Sequence, residues 1–339
     1  MQTVTLKHSS PGIGNLTPRG PLSEAAIARL SSPPDPAPFG ADIHLGTASP
    51  LEDEDLQLSL YLLHEIDYRS LPGIDEGWEW QPALIELRNR LDDVFLAAVD
   101  AAVGPFAHVP PSEVAAELFR LEREDDGPAL SRFVEVHADV DQFREFMMHR
   151  SLYQRKEADP HSWAIPRLAG PAKAALVEVQ ADEYGGGNPA RVHSELFANS
   201  MRELGLDPRE NAYLDRIPAP TIATVNLMSA LGKRRARRGA IVGHLAMFEI
   251  TSAGPNRRYG NALRRLGFGP AATDFYDEHV EADSVHENIA AYDLAQALAT
   301  AEPRLAAEVQ FGARALLRLE ARFAARLLDR WHEGRSSLL

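Results

Sequence analysis

Three residues of types that bind metal ions recur at helical spacing in DEHVEADSVHEN, residues 277–288. On an α-helix, His279, Asp283 and His286 lie on one side, within an arc of roughly 60° and over about 10 Å of the axis. One ion, with ligand bonds of about 2 Å, fits an i, i+4 pair but not the whole span. The spacing therefore favours two ions, although a charged, solvent-exposed helix face would contain the same residues.

Three further candidate ligands stand at the ends of apolar stripes elsewhere in the chain. Glu157, Glu183 and His193 each continue a run of apolar residues at three- and four-residue spacing, where a polar group needs a partner or a metal ion. Each could instead be a terminal charge clear of the core, or a core histidine bonded to the backbone. Together the three carboxylates and three imidazoles suit a dinuclear site for Fe(II) or Mn(II), with zinc as a further choice.

The elements that must position these residues are helices. From residue 51 onward, apolar residues recur with helical periodicity and alternating strand patterns are scarce. We predict a single all-α domain over residues 51–339, in which GAIVGHLAMFEITSA and NALRRLGF form separate helical segments. Residues 1–50, rich in Pro, Ser and Gly, are expected to form an extended arm with one short helix near SEAAIARL.

Composition excludes several classes of function. The net charge of −14 argues against a general nucleic-acid binder, and the basic run GKRRARRGA, residues 232–240, is interpreted as a solvated helix start, with an anion contact as the alternative. The absence of cysteine excludes disulfides, iron–sulfur clusters and thiolate zinc sites. No apolar run reaches the ~18 residues of a membrane span, and we expect a cytoplasmic protein.

A family resemblance is carried by EADPHSWAIPRL (157–168), VEVQADEYGGG (177–187), HSELFANSM (193–201) and FYDEHVEADSVHE (275–287). Over about residues 130–320 the chain resembles the haem-oxygenase-like diiron oxidases and oxygenases, also called iron-containing redox enzymes. The resemblance implies a haem-oxygenase-like bundle of about seven core helices plus N-terminal helices. It also implies that the protein binds no haem and that a diiron cluster binds O2.

The same resemblance assigns ligands. Glu157 matches the first-helix ligand and His193 the second-helix ligand, while His279, Asp283 and His286 match the third-helix set. One departure concerns a carboxylate that many relatives carry three residues before the second-helix histidine.

Ala190 stands at that position in this chain. We expect Glu183 to replace the missing carboxylate, which leaves open which iron it binds. Glu249 is a reserve ligand, with an ion pair to Arg257 or Arg258 as the alternative. Three further histidines are interpreted as structural: His149, His161 and His244.

The expected function is a non-haem diiron oxidase or oxygenase that acts on an amino acid, a fatty acid or a related small metabolite. In this hypothesis two Fe(II) ions per chain reduce the co-substrate O2 to a bridging peroxide, and an external donor supplies electrons. Tyr184, Phe197 and Arg258 are candidate pocket residues, and the arm makes a homodimer reasonable. The alternatives are a metal-free enzyme of the same fold, similar to thiamin-degrading or cofactor-ring-oxidising relatives, and a non-catalytic metal-binding helical protein.

Overall fold

A computed structural model describes residues 12–39 and 47–339, and for Asp283 and Ser284 it describes the backbone alone. Residues 1–11 and 40–46 of the expected arm therefore lie outside the described residues. Within the described ranges every regular element is a helix and no strand is present. In that part of the chain, no helix is both long and apolar enough to cross a bilayer.

The described regions contain fourteen α-helices, together with short 3₁₀-helices and loops. They are α1 (Pro21–Leu30), α2 (Glu54–Glu65), α3 (Pro82–Val103), α4 (Val114–Arg123), α5 (Leu130–Val136), α6 (Val140–Gln154), α7 (Asp159–Ser162), α8 (Gly170–Glu183), α9 (His193–Glu203), α10 (Ala219–Gly232), α11 (Arg238–Arg265), α12 (Pro270–Asn288), α13 (Ala297–Ala301) and α14 (Ala306–His332). A π-helical segment, Ile289–Gln296, continues α12 into α13. Helix α1 is the short helix expected near SEAAIARL.

Local sequence signals set the ends of the helices that matter most for the site. Helix α6 begins at a capping box, in which the Asp139 carboxylate accepts from the Gln142 backbone and the Gln142 side chain accepts from the Asp139 N–H. Helix α8 ends at Glu183, and Gly185 directly after it has a φ of +70°. A Cβ at Gly185 would lie 2.6 Å from the Val192 nitrogen, so glycine allows the chain to double back closely into α9.

The long helices α11 and α14 form the centre of the bundle. Two glycines let their backbones approach directly: a Cβ on Gly243 would lie 1.8 Å from the Val309 carbonyl oxygen, and one on Gly312 would lie 1.8 Å from that of Ala240. Helix α12 packs on the other side of α11 and also contacts α9. Three of the helices that carry candidate ligands, α9, α11 and α12, are therefore neighbours.

Two expectations about α11 are corrected. The segments GAIVGHLAMFEITSA and NALRRLGF belong to one helix that passes through Pro255, because packing along both sides outweighs the loss of one backbone hydrogen bond at the proline. The basic run before it is not a solvated helix start: Lys233 pairs with Asp67 at 3.0 Å, and Arg238, the first residue of α11, is buried against Glu302. Acidic residues of the same chain therefore neutralise much of the run.

Candidate metal centre

Six candidate ligands with described side chains come from five different parts of the bundle. Glu157 lies in the turn after α6, Glu183 ends α8, and His193 begins α9. Glu249 lies on α11, and α12 carries both His279 and His286. All six side chains are buried, with relative exposures between 1% and 6%.

The turn that carries Glu157 is held in place by the two residues before it. Arg155 donates to the carbonyl oxygens of Pro208 and Ser194, so it ties the end of α6 to the start of α9. Lys156 forms a buried ion pair with Glu65 on α2. Because both cations point away from the centre, the backbone turn directs the Glu157 carboxylate into it.

The start of α9 is anchored to α12 in a similar way. Arg191, two residues before His193, pairs with Asp274 at 3.1 Å and also with Glu278. Both partners lie in the first half of α12. This pairing places His193 against His279, with a distance of 4.4 Å between the two ring centroids.

The buried side chains form two groups that share one carboxylate. In the first group, ligand atoms of Glu157, Glu183, His193 and His279 all lie within 4.8 Å of one another. His193 Nδ1 is 2.9 Å from Glu183 Oε2, and His279 Nε2 is 3.5 Å from Glu157 Oε1. These separations are short enough for a single ion to bind all four side chains.

The second group consists of Glu183, Glu249 and His286, whose ligand atoms also lie within 4.8 Å of one another. His286 Nδ1 lies 3.5 Å from Glu249 Oε2. Glu183 therefore belongs to both groups and links them.

Hydrogen bonds behind the imidazoles orient them for metal binding. His279 donates from Nδ1 to the Phe275 carbonyl at 2.7 Å, which leaves the Nε2 lone pair directed toward Glu157. His286 donates from Nε2 to Asp182 Oδ2 at 3.0 Å, which leaves Nδ1 directed toward Glu249. Such an outer hydrogen bond is the usual companion of a metal-bound histidine, because it fixes the tautomer.

Unsatisfied atoms at the centre indicate that a ligand is required there. Glu157 Oε2, Glu183 Oε2, His193 Nδ1 and His286 Nδ1 are buried and form no hydrogen bond within the described chain. The close contact between Glu183 and His193 does not have hydrogen-bond geometry, as expected when both atoms point at a common third position. Buried polar atoms are seldom left in this state, and the nitrogen and oxygen donors fit divalent iron or manganese.

The electrostatics of the centre follow from burial and close pairing. Burial raises the pKa of Glu157, and the nearby His279 only partly offsets this effect. Burial also disfavours the charged form of Glu183, but the surrounding imidazoles, led by His193, outweigh it and lower the pKa of Glu183 to about 2. Burial opposes protonation of His286, but Glu249 and Asp182 outweigh it and raise its pKa to about 9. Without a metal ion, protons must supply the positive charge that the carboxylates attract.

The structure brings five of the six predicted ligands together, while their binding of metal stays a prediction. Five predicted residues converge: Glu157, Glu183, His193, His279 and His286. The α12 backbone places Asp283 between the two histidines, but its side chain lies outside the described residues, so its role stays a prediction. Glu249, the reserve residue, lies in the second group, beside Glu183 and His286. Ala190 is exposed in the turn Pro189–Arg191, before α9 begins, so no residue at that position can share a helix face with His193.

A cavity of about 420 Å³ reaches the centre from outside and is lined in part by Glu157 and His279. Phe197 and Arg258 line it, as expected, whereas Tyr184 does not. The Tyr184 hydroxyl instead donates to Asp159 at 2.9 Å. A second space, which borders Glu183 and Glu249, has only about 10 Å³, so the cavity of about 420 Å³ is the one that can admit a small molecule to the ligands.

The histidines interpreted as structural have partners in the interior. His149 hydrogen-bonds Thr221 at 2.7 Å and Ser337 at 3.0 Å. His161 and His244 hydrogen-bond each other at 3.1 Å. None of the three joins either ligand group.

Taken together, the helical bundle and its centre define a helical protein with a buried cluster of histidine and glutamate that could hold metal ions. Residues 144–321, more than half of the chain, match the family described as iron-containing redox enzymes. The chain belongs to the iron-containing redox enzyme family, as the sequence resemblance indicated.

Two known proteins are similar to parts of the chain. Over 134 residues, or 40% of the chain, it is 28% identical to nitrosourea synthase of Streptomyces achromogenes subsp. streptozoticus, and the match spans 28% of that protein's length. A CADD-like protein of unknown function from Nostoc punctiforme is 17% identical and superposes with a TM-score of 0.52, covering 65% of this chain and 97% of the other. This similarity confirms the haem-oxygenase-like helical fold.

Proposed function

We propose that the protein is a non-haem diiron oxidase or oxygenase that acts on a small metabolite with O2 and an external electron donor. The observation that carries the proposal is the pair of buried ligand groups joined by Glu183. A single structural ion would need one closed set of about four ligands. Two groups that share one carboxylate instead support a dinuclear centre.

The charges of the ligands support two divalent ions. Glu157, Glu183 and Glu249 contribute three negative charges, and Asp283, if it is bound as predicted, contributes a fourth. Four carboxylates balance two Fe(II) ions, whereas one ion would leave the buried centre strongly negative. Both groups offer imidazole nitrogen and carboxylate oxygen, the mixture that iron and manganese prefer.

The residues of the chain have separate tasks in this proposal. Glu157, Glu183, Glu249 and the three histidines hold the ions, which would supply the electrons that activate O2. Asp182 orients His286 from outside. The aromatic walls of the cavity, which include Phe146, Phe197 and Phe275, keep bulk water away from the reacting atoms and position the substrate beside Glu157 and His279.

Two alternatives have less support. A metal-free enzyme of this fold would gain nothing from buried carboxylate and imidazole atoms that lack hydrogen bonds. A non-catalytic metal-binding protein would have no need of a large cavity that ends at the ligands. Both observations therefore favour an enzyme with a metal cofactor.

The proposal is tested by anaerobic titration of metal-free protein with Fe(II), followed by mixing with O2. We expect two ions to bind per chain and both to be oxidised to Fe(III) when O2 is added, with O2 consumed in proportion. Mass-spectrometric screening of amino acids and fatty acids with iron, O2 and a reductant then identifies the substrate. A folded protein that binds no iron, or that binds iron without consuming O2, would refute the proposal.

A further inference from the structure

The wall of the large cavity contains an ion pair that the metal centre does not use. Arg150 on α6 binds Glu320 on α14 through two parallel hydrogen bonds, of 2.9 Å from Nη1 to Oε1 and 2.7 Å from Nη2 to Oε2. Both residues line the cavity, and their side chains keep exposed fractions of 21% and 27%. The Arg150 guanidinium also lies over the Phe323 ring, 4.3 Å from its centroid. The pair is thus a charged feature of a wall that contains both aromatic and polar side chains.

Helix α6 and the turn after it lead from this pair to the metal centre. Arg150, Gln154 and Glu157 all line the cavity. At ~1.5 Å per residue, Gln154, the last residue of α6, stands about 6 Å beyond Arg150 along the axis, and Glu157 follows in the turn. A ligand held at the ion pair must therefore extend past Gln154 to bring an atom to the ions.

Between the two ends, Gln154 offers an unused acceptor. Its Oε1 atom is buried and has no hydrogen-bond partner among the described residues. A buried carbonyl oxygen without a partner is costly, and the cavity is the direction from which a partner can come. A substrate that carries an N–H or O–H group in its side chain satisfies this atom, whereas a hydrocarbon chain does not.

The charge of the pair selects the head group of the ligand. Glu320 already neutralises Arg150, so a ligand with only a carboxylate would gain one attraction and meet the repulsion of Glu320. Glu122 and Asp125 also line the cavity and outnumber the remaining guanidinium of Arg258. A head group that carries both an ammonium and a carboxylate is complementary to both members of the pair.

We propose that the Arg150–Glu320 pair binds the zwitterionic head of an α-amino acid with a long side chain, and that Gln154 accepts a hydrogen bond from that side chain. This inference rests on the proposed function for the identity of the reacting centre. Recognition itself does not depend on turnover. Binding can therefore be measured without O2, on protein whose metal content has been determined independently.

The test compares three probes by calorimetry on anaerobic, metal-loaded protein. L-norleucine and hexanoate share a carbon chain and differ in the α-ammonium group, while L-lysine adds a donor at the end of that chain. We expect L-norleucine to bind roughly 10-fold or more tightly than hexanoate, the effect of one charge-assisted hydrogen bond, and L-lysine to bind more tightly still.

Variants assign these preferences to residues. Glu320→Gln should remove most of the preference for L-norleucine over hexanoate, and Gln154→Leu should reduce the advantage of L-lysine over L-norleucine. Arg322→Gln is the matched control on α14, because Arg322 pairs with the exposed Glu52 and does not line the cavity. Thermal melting of each variant shows whether the ion pair only links the helices, since a purely structural role lowers stability and leaves the probe preference unchanged.

The possible results separate this inference from the proposed function. Equal binding of hexanoate and L-norleucine, an unchanged preference in folded Glu320→Gln, or no binding of any probe to protein with two bound ions would overturn the role of the pair. Failure to bind metal would instead overturn the dinuclear centre. The probe preference of the metal-free protein would then still decide whether the ion pair selects zwitterions.

Discussion

The shared position of Glu183 predicts different metal contents for two similar variants. Glu183 belongs to both ligand groups, while Glu249 belongs only to the second. Glutamine keeps the size of glutamate but removes the charge that holds a divalent ion. We therefore expect two Fe(II) ions per chain in the wild type, one in Glu249→Gln, and less than one in Glu183→Gln.

The same variants should differ in how much metal stabilises them. At a free metal concentration of about 100 times Kd, each occupied site adds ~2.7 kcal/mol to the free energy of unfolding. For a domain of this size, 1 kcal/mol raises Tm by about 2 °C, so each site contributes about 5 °C. Adding Fe(II) should raise Tm by about 10 °C in the wild type, by about 5 °C in Glu249→Gln, and by about 1 °C or less in Glu183→Gln.

The assay is anaerobic calorimetry for stoichiometry, with scanning calorimetry of the metal-free and metal-loaded forms. Glu178→Gln is the matched control, because Glu178 lies on the same helix as Glu183 but is exposed. Circular dichroism of the metal-free variants verifies that they fold. Retention of two ions by Glu183→Gln, or an unchanged stoichiometry in Glu249→Gln, would refute the assignment of a shared ligand.

Three further predictions concern the second group, the bundle and its acid sensitivity. Asp182→Asn should weaken Fe(II) binding at the group containing His286 by roughly 10- to 100-fold, because the imidazole loses its orienting carboxylate; a two-step Fe(II) titration should show the first step unchanged. Gly243→Ala should lower the free energy of unfolding by about 3 kcal/mol or more, since its Cβ would clash with a backbone carbonyl. At Gly254 on the same helix, no atom outside the chain neighbours lies within 4 Å of the added Cβ; Gly254→Ala should change the free energy of unfolding by less than about 1 kcal/mol, because the gain in helix propensity is opposed by contact with the ring of Pro255, and urea unfolding measures both variants. Burial lowers the pKa of His149 to about 3, from 6.5 in the unfolded chain, so below pH 6.5 the unfolded state binds a proton that the folded state does not. The free energy of unfolding of the metal-free protein should therefore fall by up to ~1.4 kcal/mol per pH unit because of this residue. Between pH 6.5 and 4.5 the free energy of unfolding of His149→Gln should fall less; an equal fall in both proteins would contradict this account.

Helical periodicity was a sound guide to the elements because most helices here have one buried face. The apolar stripes around Glu157, Glu183 and His193 correctly indicated that these polar residues point into the core. Periodicity was less reliable at α11, where the pattern predicted two segments and the structure has one helix. Helix α11 is buried on several sides by α12 and α14, so its limits depend on packing more than on local pattern.

The role of Glu249 was underestimated for a related reason. Its helix, GHLAMFEITS, is rich in apolar residues, and a carboxylate in such a run is a signal of a buried ligand. Two nearby arginines offered a simpler explanation from the sequence alone. Only the packing of α11 against α12 brings Glu249 to within 3.5 Å of His286.

The sequence by itself determined the helical class of the protein and indicated that Glu157, Glu183, His193, His279 and His286 point into the core. These features depend on residue type and on spacing along each helix, which local backbone geometry converts directly into a shared face. Tertiary structure alone decided that Glu183 serves both ligand groups, that Glu249 joins the second, and that Arg150 meets Glu320 in the cavity wall. Such contacts join residues far apart in the chain, so they depend on how the helices cross and pack, which no local pattern encodes.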